Sequence, residues 1–495
     1  MRARVLLTLA LTLTGLSACA SEHRGREVDA SAQVVSLTRE QLLDPLQCKS
    51  CHPKHYREWA SSMHAYASED PVFVAMNKRG QRETQGQLGD FCVRCHAPMA
   101  VHEGATQDGL NLDALPAELK GVTCYFCHNA TSADQPFNNH IALADDTTMR
   151  AGIRLPVASA AHASVYSGFH DRNSAESAKL CGSCHDVVNP HGVQLERSFL
   201  EYQESLFGKS GPGFDTCGGC HMPGRPGRAA ESVDLNTPAR TVHEHLWPGV
   251  DVALSAFPDR EAQRLAVECA LGLNARFYAI TLSPLGELLV KLETSAGHHQ
   301  PSGAAHDRRL WLEVIAYDQA GAVLFQSGVI QDGEVEDKPV GAAGYDPQLA
   351  LFRDWIYDEK GQPTHMFWEA APSSAYPTGY ASLTLPAALM LGAAHTLDAR
   401  YQLLDAARVD HIQLRLRMRP VGVDVLNDLV GSGDLDPAVL AAQPTFALRG
   451  ASVIWRPDGT MTPLLVDAPA CPDAYQCLLS SDCLPMDAGL PNGAP

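Results

Sequence analysis

The chain has 495 residues and a formal net charge of −19 at pH 7, and 45% of its residues are hydrophobic. This length is sufficient for two or three domains with cores of their own. The excess of acidic side chains argues against nucleic acid as a partner, because the phosphate backbone is itself negatively charged. A basic or metal-bearing protein partner is easier to reconcile with this charge.

The N-terminus has the pattern of an export segment. A short basic region precedes an apolar stretch at 5–16, which is too short to span a bilayer. The stretch ends in Leu16-Ser17-Ala18-Cys19, which resembles the lipobox of bacterial lipoproteins, where the chain is cut before the Cys and the Cys carries the lipid. We predict a lipoprotein signal peptide at 1–19 and a polar tether at 20–40, with an ordinary secretory signal as the alternative.

This N-terminus predicts a location in the cell envelope. Lipid on Cys19 would hold the chain at the periplasmic face of the outer membrane or at the cell surface. The expected partners are therefore the membrane, through that lipid, and other redox proteins of the envelope.

The next feature is a five-fold repeat of Cys-x-x-Cys-His. Chance placement of 15 Cys and 21 His would produce about 0.02 copies. The motif is typical of covalent haem c attachment, in which two thiols add to the haem and the His ligates its iron. The copies are Cys48-Lys-Ser-Cys51-His52, Cys92-Val-Arg-Cys95-His96, Cys124-Tyr-Phe-Cys127-His128, Cys181-Gly-Ser-Cys184-His185 and Cys217-Gly-Gly-Cys220-His221.

Two other interpretations of Cys-x-x-Cys are a structural zinc site and a thiol–disulfide motif. Neither requires a His after the second Cys in every copy, and the uneven gaps between copies do not pair into zinc half-sites. We therefore predict five covalently attached haem c groups, with ten thioether cysteines and five proximal His ligands.

The opposite face of each iron requires a second ligand or stays open. A second His favours electron transfer, whereas an open face allows a small molecule to bind. Twelve further histidines lie between residues 53 and 306, which is more than five haems need. Sequence context favours His64, His162, His170, His245 and His299, the last of these slightly ahead of its neighbour His298.

The second half of the chain has a different pattern. A helix is predicted at 258–273, and beyond it short apolar runs separated by turn residues predict strands. A helical stretch at 423–442 is interrupted at Gly431-Ser432-Gly433. The expected strands are 277–282 with 288–292, 310–317 with 322–330, 395–404 with 411–418, and 446–455.

These patterns predict an α+β multidomain fold. A loop- and helix-rich multihaem domain is followed by a β-sandwich-like domain. The expected segments after the tether are the five-haem domain at 41–250, a connecting helix at 251–275, the β-sandwich-like domain at 276–465 and a Cys-containing tail at 466–495.

Four cysteines remain outside the motifs and Cys19, namely Cys269, Cys471, Cys477 and Cys483. Their even number in an oxidising compartment predicts two disulfides, with all three pairings open. One bridge through Cys269 could tie the tail to the connecting helix. A metal site is the weaker interpretation, because these four include no close Cys-x-x-Cys pair.

Short sequence segments around the motifs resemble those of the cytochrome c554-related multihaem cytochromes. They are Trp59-x-x-Ser62-Met-His64, Gly121-Val-Thr-Cys-Tyr-Phe-Cys-His128, Leu180-Cys-Gly-Ser-Cys-His-Asp186 and Cys217-Gly-Gly-Cys-His-Met-Pro223. Gly297-His-His-Gln-Pro-Ser-Gly303, followed by Arg309-Leu-Trp-Leu-Glu-Val, resembles an appended β-domain of multihaem members. The resemblance implies closely packed haems, mostly bis-His ligation, and electron transfer in periplasmic or surface redox chains.

The resemblance does not name a substrate. The group includes enzymes that act on hydroxylamine, nitrite or tetrathionate, but these generally carry more haems, and some have Cys-x-x-Cys-Lys, which this sequence lacks. The c554 proteins carry four haems and no large β-domain. The leading hypothesis is a pentahaem electron carrier. The alternative is a reductase or oxidoreductase with one open haem that acts on a small nitrogen or sulfur compound.

Overall fold

The computed structural model describes residues 36–231, 236–330, 335, 345–389, 396–464 and 469–471. The predicted signal peptide, most of the predicted tether, and Cys477 and Cys483 lie outside these ranges. Among the described helices, none combines the length and the apolar character that a membrane crossing requires. The fold is α+β, as the sequence predicts.

The first half is built from short helices joined by loops. Several begin with a Pro in the first turn, where the missing N–H costs no hydrogen bond. Asp70 caps the longest of them, since its Oδ1 accepts from the backbone N–H of Val72 at 2.7 Å. The α-helices are Arg39–Leu43, Pro45–Lys49, Pro53–Ala60, Met63–Tyr66, Pro71–Glu83, Val93–His96, Pro98–His102, Cys124–Asn129, Ser177–His185, Ser198–Glu204 and Cys217–His221.

Small two-stranded sheets and 3₁₀ turns fill the loops between these helices. The antiparallel pairs are Ala130–Ala133 with Ile141–Leu143, Asp186–Val188 with Gln194–Arg197, and Gly224–Gly227 with Arg240–His243. Thr148–Ala151 pairs in parallel with Ala163–Tyr166. The 3₁₀ turns are Leu112–Ala114, Ala117–Leu119 and Gly168–His170.

The second half contains two larger sheets. A three-stranded sheet has the order Thr396–Gln402, Glu287–Thr294, Ala275–Leu282. In an eight-stranded sheet, six strands lie in the order Pro363–Thr364, Ala350–Tyr357, Arg309–Tyr317, His411–Arg419, Phe446–Trp455, Met461–Pro463. The other two strands pair with members of this row, Val323–Ser327 with Arg309–Tyr317 and Tyr380–Leu383 with Ala350–Tyr357. The remaining helices are Arg260–Asn274, Val423–Gly431 and Ala438–Ala442, with a 3₁₀ turn at Ala406–Arg408.

The two sheets share one apolar core. Alternate residues of Glu287–Thr294 are buried, and Leu288, Val290 and Leu292 have no exposed surface. They belong to the same cluster as Leu312 and Leu414 of the larger sheet. This arrangement matches the predicted β-sandwich-like half.

One predicted strand pairing is wrong. The strands predicted at 395–404 and 411–418 form as Thr396–Gln402 and His411–Arg419, but they belong to different sheets. Thr396–Gln402 pairs with Glu287–Thr294, whereas His411–Arg419 lies between Arg309–Tyr317 and Phe446–Trp455. Neighbours in sequence separate here because the connection crosses the sandwich. The other two predicted pairings are confirmed.

The predicted connecting helix forms as Arg260–Asn274 and packs on the strand Phe446–Trp455. The two backbones approach closely at Gly272 and Gly450, where a Cβ on Gly450 would lie 2.5 Å from the carbonyl oxygen of Gly272. A disulfide joins Cys269 of this helix to Cys471. The predicted bridge between the helix and the tail is therefore confirmed.

Loss of this disulfide is expected to destabilise the chain. It closes a loop of 202 residues, so Cys269→Ser should lower the free energy of unfolding by about 2–5 kcal/mol through the greater entropy of the unfolded chain. Denaturant unfolding with and without a thiol reductant measures this. The reductant should destabilise the native chain and have little further effect on the variant. An unchanged midpoint in the variant would refute the expected contribution.

The second half also packs along the first. Ala75 and Met76 of the helix Pro71–Glu83 share an apolar cluster with Trp368 and Leu426. A buried ion pair joins Arg197 to Asp354, with Nη2 and Oδ2 2.7 Å apart. The loop between Glu287–Thr294 and Arg309–Tyr317 also lies against the Cys-x-x-Cys-His region, since its residue His298 faces His221.

Candidate functional site

All five Cys-x-x-Cys-His motifs lie on or beside a short helix. One helical turn places residues three and four positions apart on the same face, so both thiols and the His of a copy can reach one planar group. Thr123 and Thr216 cap the third and fifth of these helices by accepting from the N–H groups of Phe126 and Gly219. These two caps fix the start of the turn that presents the third and the fifth motif.

Four of the motif histidines have Nδ1 within hydrogen-bond distance of a backbone carbonyl oxygen. The distances are 2.6 Å from His52 to Ala229, 2.9 Å from His96 to Ala67, 2.7 Å from His128 to Arg150 and 3.2 Å from His221 to Pro248. A carbonyl can only accept, so the proton lies on Nδ1 and the lone pair on Nε2 is free. Metal-binding histidines are oriented in this way.

Four motif histidines lie opposite a second histidine ring at a nearly constant distance. Two metal–nitrogen bonds of about 2 Å each, plus the distance from each ligating nitrogen to the centre of its ring, add up to about 6 Å between ring centres. The observed centre-to-centre distances are 6.3 Å for His52 and His162, 6.3 Å for His185 and His64, 6.3 Å for His128 and His245, and 6.2 Å for His221 and His298. The spacing fits one metal ion between each pair.

His128 also faces His170, at 6.0 Å between ring centres. Both nitrogens of His170 have other partners, since Nε2 lies 2.7 Å from the carbonyl oxygen of Cys127 and Nδ1 3.0 Å from Ser167 Oγ. The Nδ1 of His245 lies 2.9 Å from the carbonyl oxygen of His243, which leaves Nε2 available. The geometry therefore favours His245 over His170 as the partner of His128.

The structure brings His298, rather than His299, to the fifth motif. The ring of His298 lies 16° from parallel to that of His221, and its Nδ1 is 3.0 Å from the carbonyl oxygen of His299. The His299 Nδ1 instead lies 3.1 Å from Thr384 Oγ1. Adjacent residues on an extended loop point to opposite sides, so the sequence could not decide which of the two would face the motif.

His96 differs from the other motif histidines. Phe73 stacks on its ring, with centres 3.8 Å apart and planes 4° from parallel. Within the described ranges, His96 has no second histidine ring at the distance seen in the four pairs. Burial lowers the pKa of His96, while the hydrogen bond to Ala67 and the carboxylate of Asp251 oppose that effect. Sequence reasoning did not identify Phe73, because a Phe in a helix usually signals core packing.

Burial favours the neutral form of five of these imidazoles. Desolvation lowers the pKa of His64 to about 3 and those of His185 and His221 to about 4, and it also lowers the pKa of His245 and His298. A metal ion requires the unprotonated nitrogen, so the site presents its ligands in the correct state.

Contacts between cysteine side chains give the order of the motifs in space. The Cys48 thiol of the first motif interacts with Cys124 of the third, and Cys127 of the third lies near Cys181 of the fourth. The fourth motif also meets the second through Cys184 and Cys95, and the fifth through Cys181 and Cys217. The first motif is therefore adjacent to the third, and the third is adjacent to the fourth. The second and fifth motifs are both adjacent to the fourth as well.

Comparisons with known proteins agree with this geometry. Residues 47–129 match the family model described as cytochrome c554 and c-prime. A solved structure of a penta-heme cytochrome c552 from Thermochromatium tepidum is similar, with a TM-score of 0.54 and 21% identity over 81% of this chain and 96% of that chain. The chain has the fold of a multihaem c-type cytochrome. No curated protein matches it.

The family match covers the first three motifs of this multihaem cytochrome fold. The resemblance of the second half to an appended β-domain of multihaem members stays a prediction. A multihaem cytochrome fold indicates haem c as cofactor and electron transfer as the general function.

Proposed function

We propose that the chain is a pentahaem c-type cytochrome that relays electrons in an extracytoplasmic respiratory or redox chain. The four histidine pairs 6.2–6.3 Å apart carry this proposal. Haem supplies reversible one-electron exchange between ferric and ferrous iron. Ligation of both faces by His favours this exchange over reaction with small molecules.

The residues would hold the haems as follows. Thioether bonds would join the haems to Cys48 and Cys51, Cys92 and Cys95, Cys124 and Cys127, Cys181 and Cys184, and Cys217 and Cys220. His52, His96, His128, His185 and His221 would be the proximal ligands. His162, His245, His64 and His298 would complete the first, third, fourth and fifth sites respectively.

The motif order supports a branched relay. The fourth motif is adjacent to the second, third and fifth, so the fourth site would be the junction. The first, second and fifth sites would be the ends at which partners or small molecules exchange electrons.

The proposal predicts that the mature protein takes up five electrons per chain. Each predicted haem accepts one electron, so coulometric reduction should end at five, and mass spectrometry of the denatured protein should show five haems still attached. A preparation with full haem content that takes up fewer electrons would contradict the relay. A chain that loses its haem on denaturation would contradict covalent attachment.

A second candidate function is that of a reductase or oxidoreductase acting on a small nitrogen or sulfur compound. The observation that favours it is that, among the described residues, no second histidine ring faces His96 at the distance seen in the other four motifs. A haem there would keep one face free for a ligand.

We also propose that lipid on Cys19 anchors this relay in the cell envelope, where its partners would be other redox proteins. The support is the lipobox-like sequence and the requirement for haem attachment outside the cytoplasm. Cell fractionation tests this, since a Cys19→Ala chain that stays in the membrane fraction would contradict the anchor.

A further inference from the structure

Arg308 is the last residue before the strand Arg309–Tyr317, and its side chain is only 15% exposed. Its Nη2 donates to Asp251 Oδ2 at 3.1 Å. Its Nε and Nη1 are buried and have no hydrogen-bond partner among the described residues. A guanidinium group cannot lose its charge, and buried donors are almost always paired. These two nitrogens therefore call for an acceptor that the described residues do not supply.

The position of Arg308 indicates where that acceptor comes from. Its positive charge lowers the pKa of both His185 and His298. His185 is the proximal histidine of the fourth motif, and His298 lies opposite His221 of the fifth. Arg308 therefore lies beside the fourth and fifth sites, at the boundary between the two halves of the chain.

Glu196 borders the same space. Gly303 lies between the two side chains in the left-handed region, with φ of 70°. A Cβ on Gly303 would be 3.4 Å from Arg308 Nη2 and 3.8 Å from Glu196 Oε2. Burial raises the pKa of Glu196 to about 7, and the charge of Arg308 opposes this rise while those of Asp307 and Asp251 add to it.

We propose that the free donors of Arg308 bind a propionate carboxylate of the haem attached at the fourth or fifth motif. This inference rests on the proposed function, because it requires the haem. Guanidinium–carboxylate hydrogen bonds are charge-assisted and strong, and haem brings its own carboxylates to a place where the described residues leave two donors unpaired. The loop 295–308 would then supply both an iron ligand, His298, and a propionate ligand, Arg308.

A positive charge fixed beside a haem favours the ferrous state, which carries one positive charge fewer at the iron. Arg308→Gln is therefore expected to lower the midpoint potential of one low-spin haem without changing its spin state. Spectroelectrochemical titration of the holoprotein above the pKa of Glu196 measures this. Arg400→Gln is the control for net charge, because Arg400 is 57% exposed and lies on the smaller sheet; it should leave all potentials unchanged.

Glu196→Gln removes a negative charge from the same space, so it should shift the same haem to a higher potential. Arg308→Lys keeps the charge and should leave the potential close to native. Opposite shifts in Arg308→Gln and Glu196→Gln support the proposal. If Arg308→Gln does not fold, a higher potential in Glu196→Gln together with a near-native potential in Arg308→Lys supports it instead.

Haem content is measured first, so a chain without haem refutes the proposed function and not this inference alone. With five haems bound, unchanged potentials in Arg308→Gln overturn the inference. If Arg308→Gln does not fold, an unchanged potential in Glu196→Gln overturns it. A native potential that depends on added nitrite or phosphate, and loses this dependence in Arg308→Gln or Arg308→Lys, also overturns it, because Arg308 would then bind a small oxyanion in place of a propionate.

Discussion

Replacement of His298 by alanine is expected to convert one of the five haems from low spin to high spin, whereas His299→Ala should convert none. His298 faces His221 at 6.2 Å between ring centres, while the Nδ1 of His299 is directed to Thr384. Loss of an imidazole ligand leaves an iron with one open face, and such irons are high spin. Electron paramagnetic resonance and absorption spectra of the oxidised holoprotein measure the change.

The two substitutions form a matched pair, because they remove the same side chain from adjacent positions of one loop. Equal haem content in both variants is the control for a general loss of structure. If His299→Ala converted the haem and His298→Ala did not, the assignment of the ligand would be reversed. If neither did, the fifth site would not take its second ligand from this loop.

The second large effect concerns the haem predicted at Cys92 and Cys95. The native oxidised protein should contain one high-spin haem that binds cyanide or nitrite, and the reduced protein should bind one carbon monoxide per chain. The physical reason is that His96 has no second histidine opposite it among the described residues, unlike the other four motif histidines. The double variant Cys92→Ala/Cys95→Ala should lose the high-spin signal and all ligand binding.

The double variant Cys217→Ala/Cys220→Ala is the matched control. It removes a haem of the paired type and should keep the ligand response. An entirely low-spin native protein that does not respond to these ligands would rule out the open site and leave the relay. Ligand binding that survives in Cys92→Ala/Cys95→Ala would place the open iron at another motif.

Much of the secondary structure could be predicted locally. The interruption of the helical stretch at Gly431-Ser432-Gly433 appears as the break between Val423–Gly431 and Ala438–Ala442. Strand pairing was harder, because partners such as Glu287–Thr294 and Thr396–Gln402 are about a hundred residues apart. Alternating burial tells which residues face a core but does not tell which strand lies beside another.

The candidate ligands show the same contrast between what is local in sequence and what depends on long-range packing. His64 follows the first motif closely in sequence, yet it lies opposite His185 of the fourth motif. His162 precedes the fourth motif and lies opposite His52 of the first. The distance along the sequence between a histidine and a motif therefore did not predict which of them face each other. In each of the four pairs, the second histidine lies far from its motif in the sequence.

The sequence by itself determined the number of motifs and the prediction that they bind haem c through ten thiols and five proximal histidines. These follow from a spacing that one helical turn converts into one binding face. Only the tertiary structure decided which histidines face each other, that His298 is turned toward the fifth motif, and that the fourth motif is adjacent to three others. Those features depend on long-range packing, in which the second half of the chain places its loop against the first.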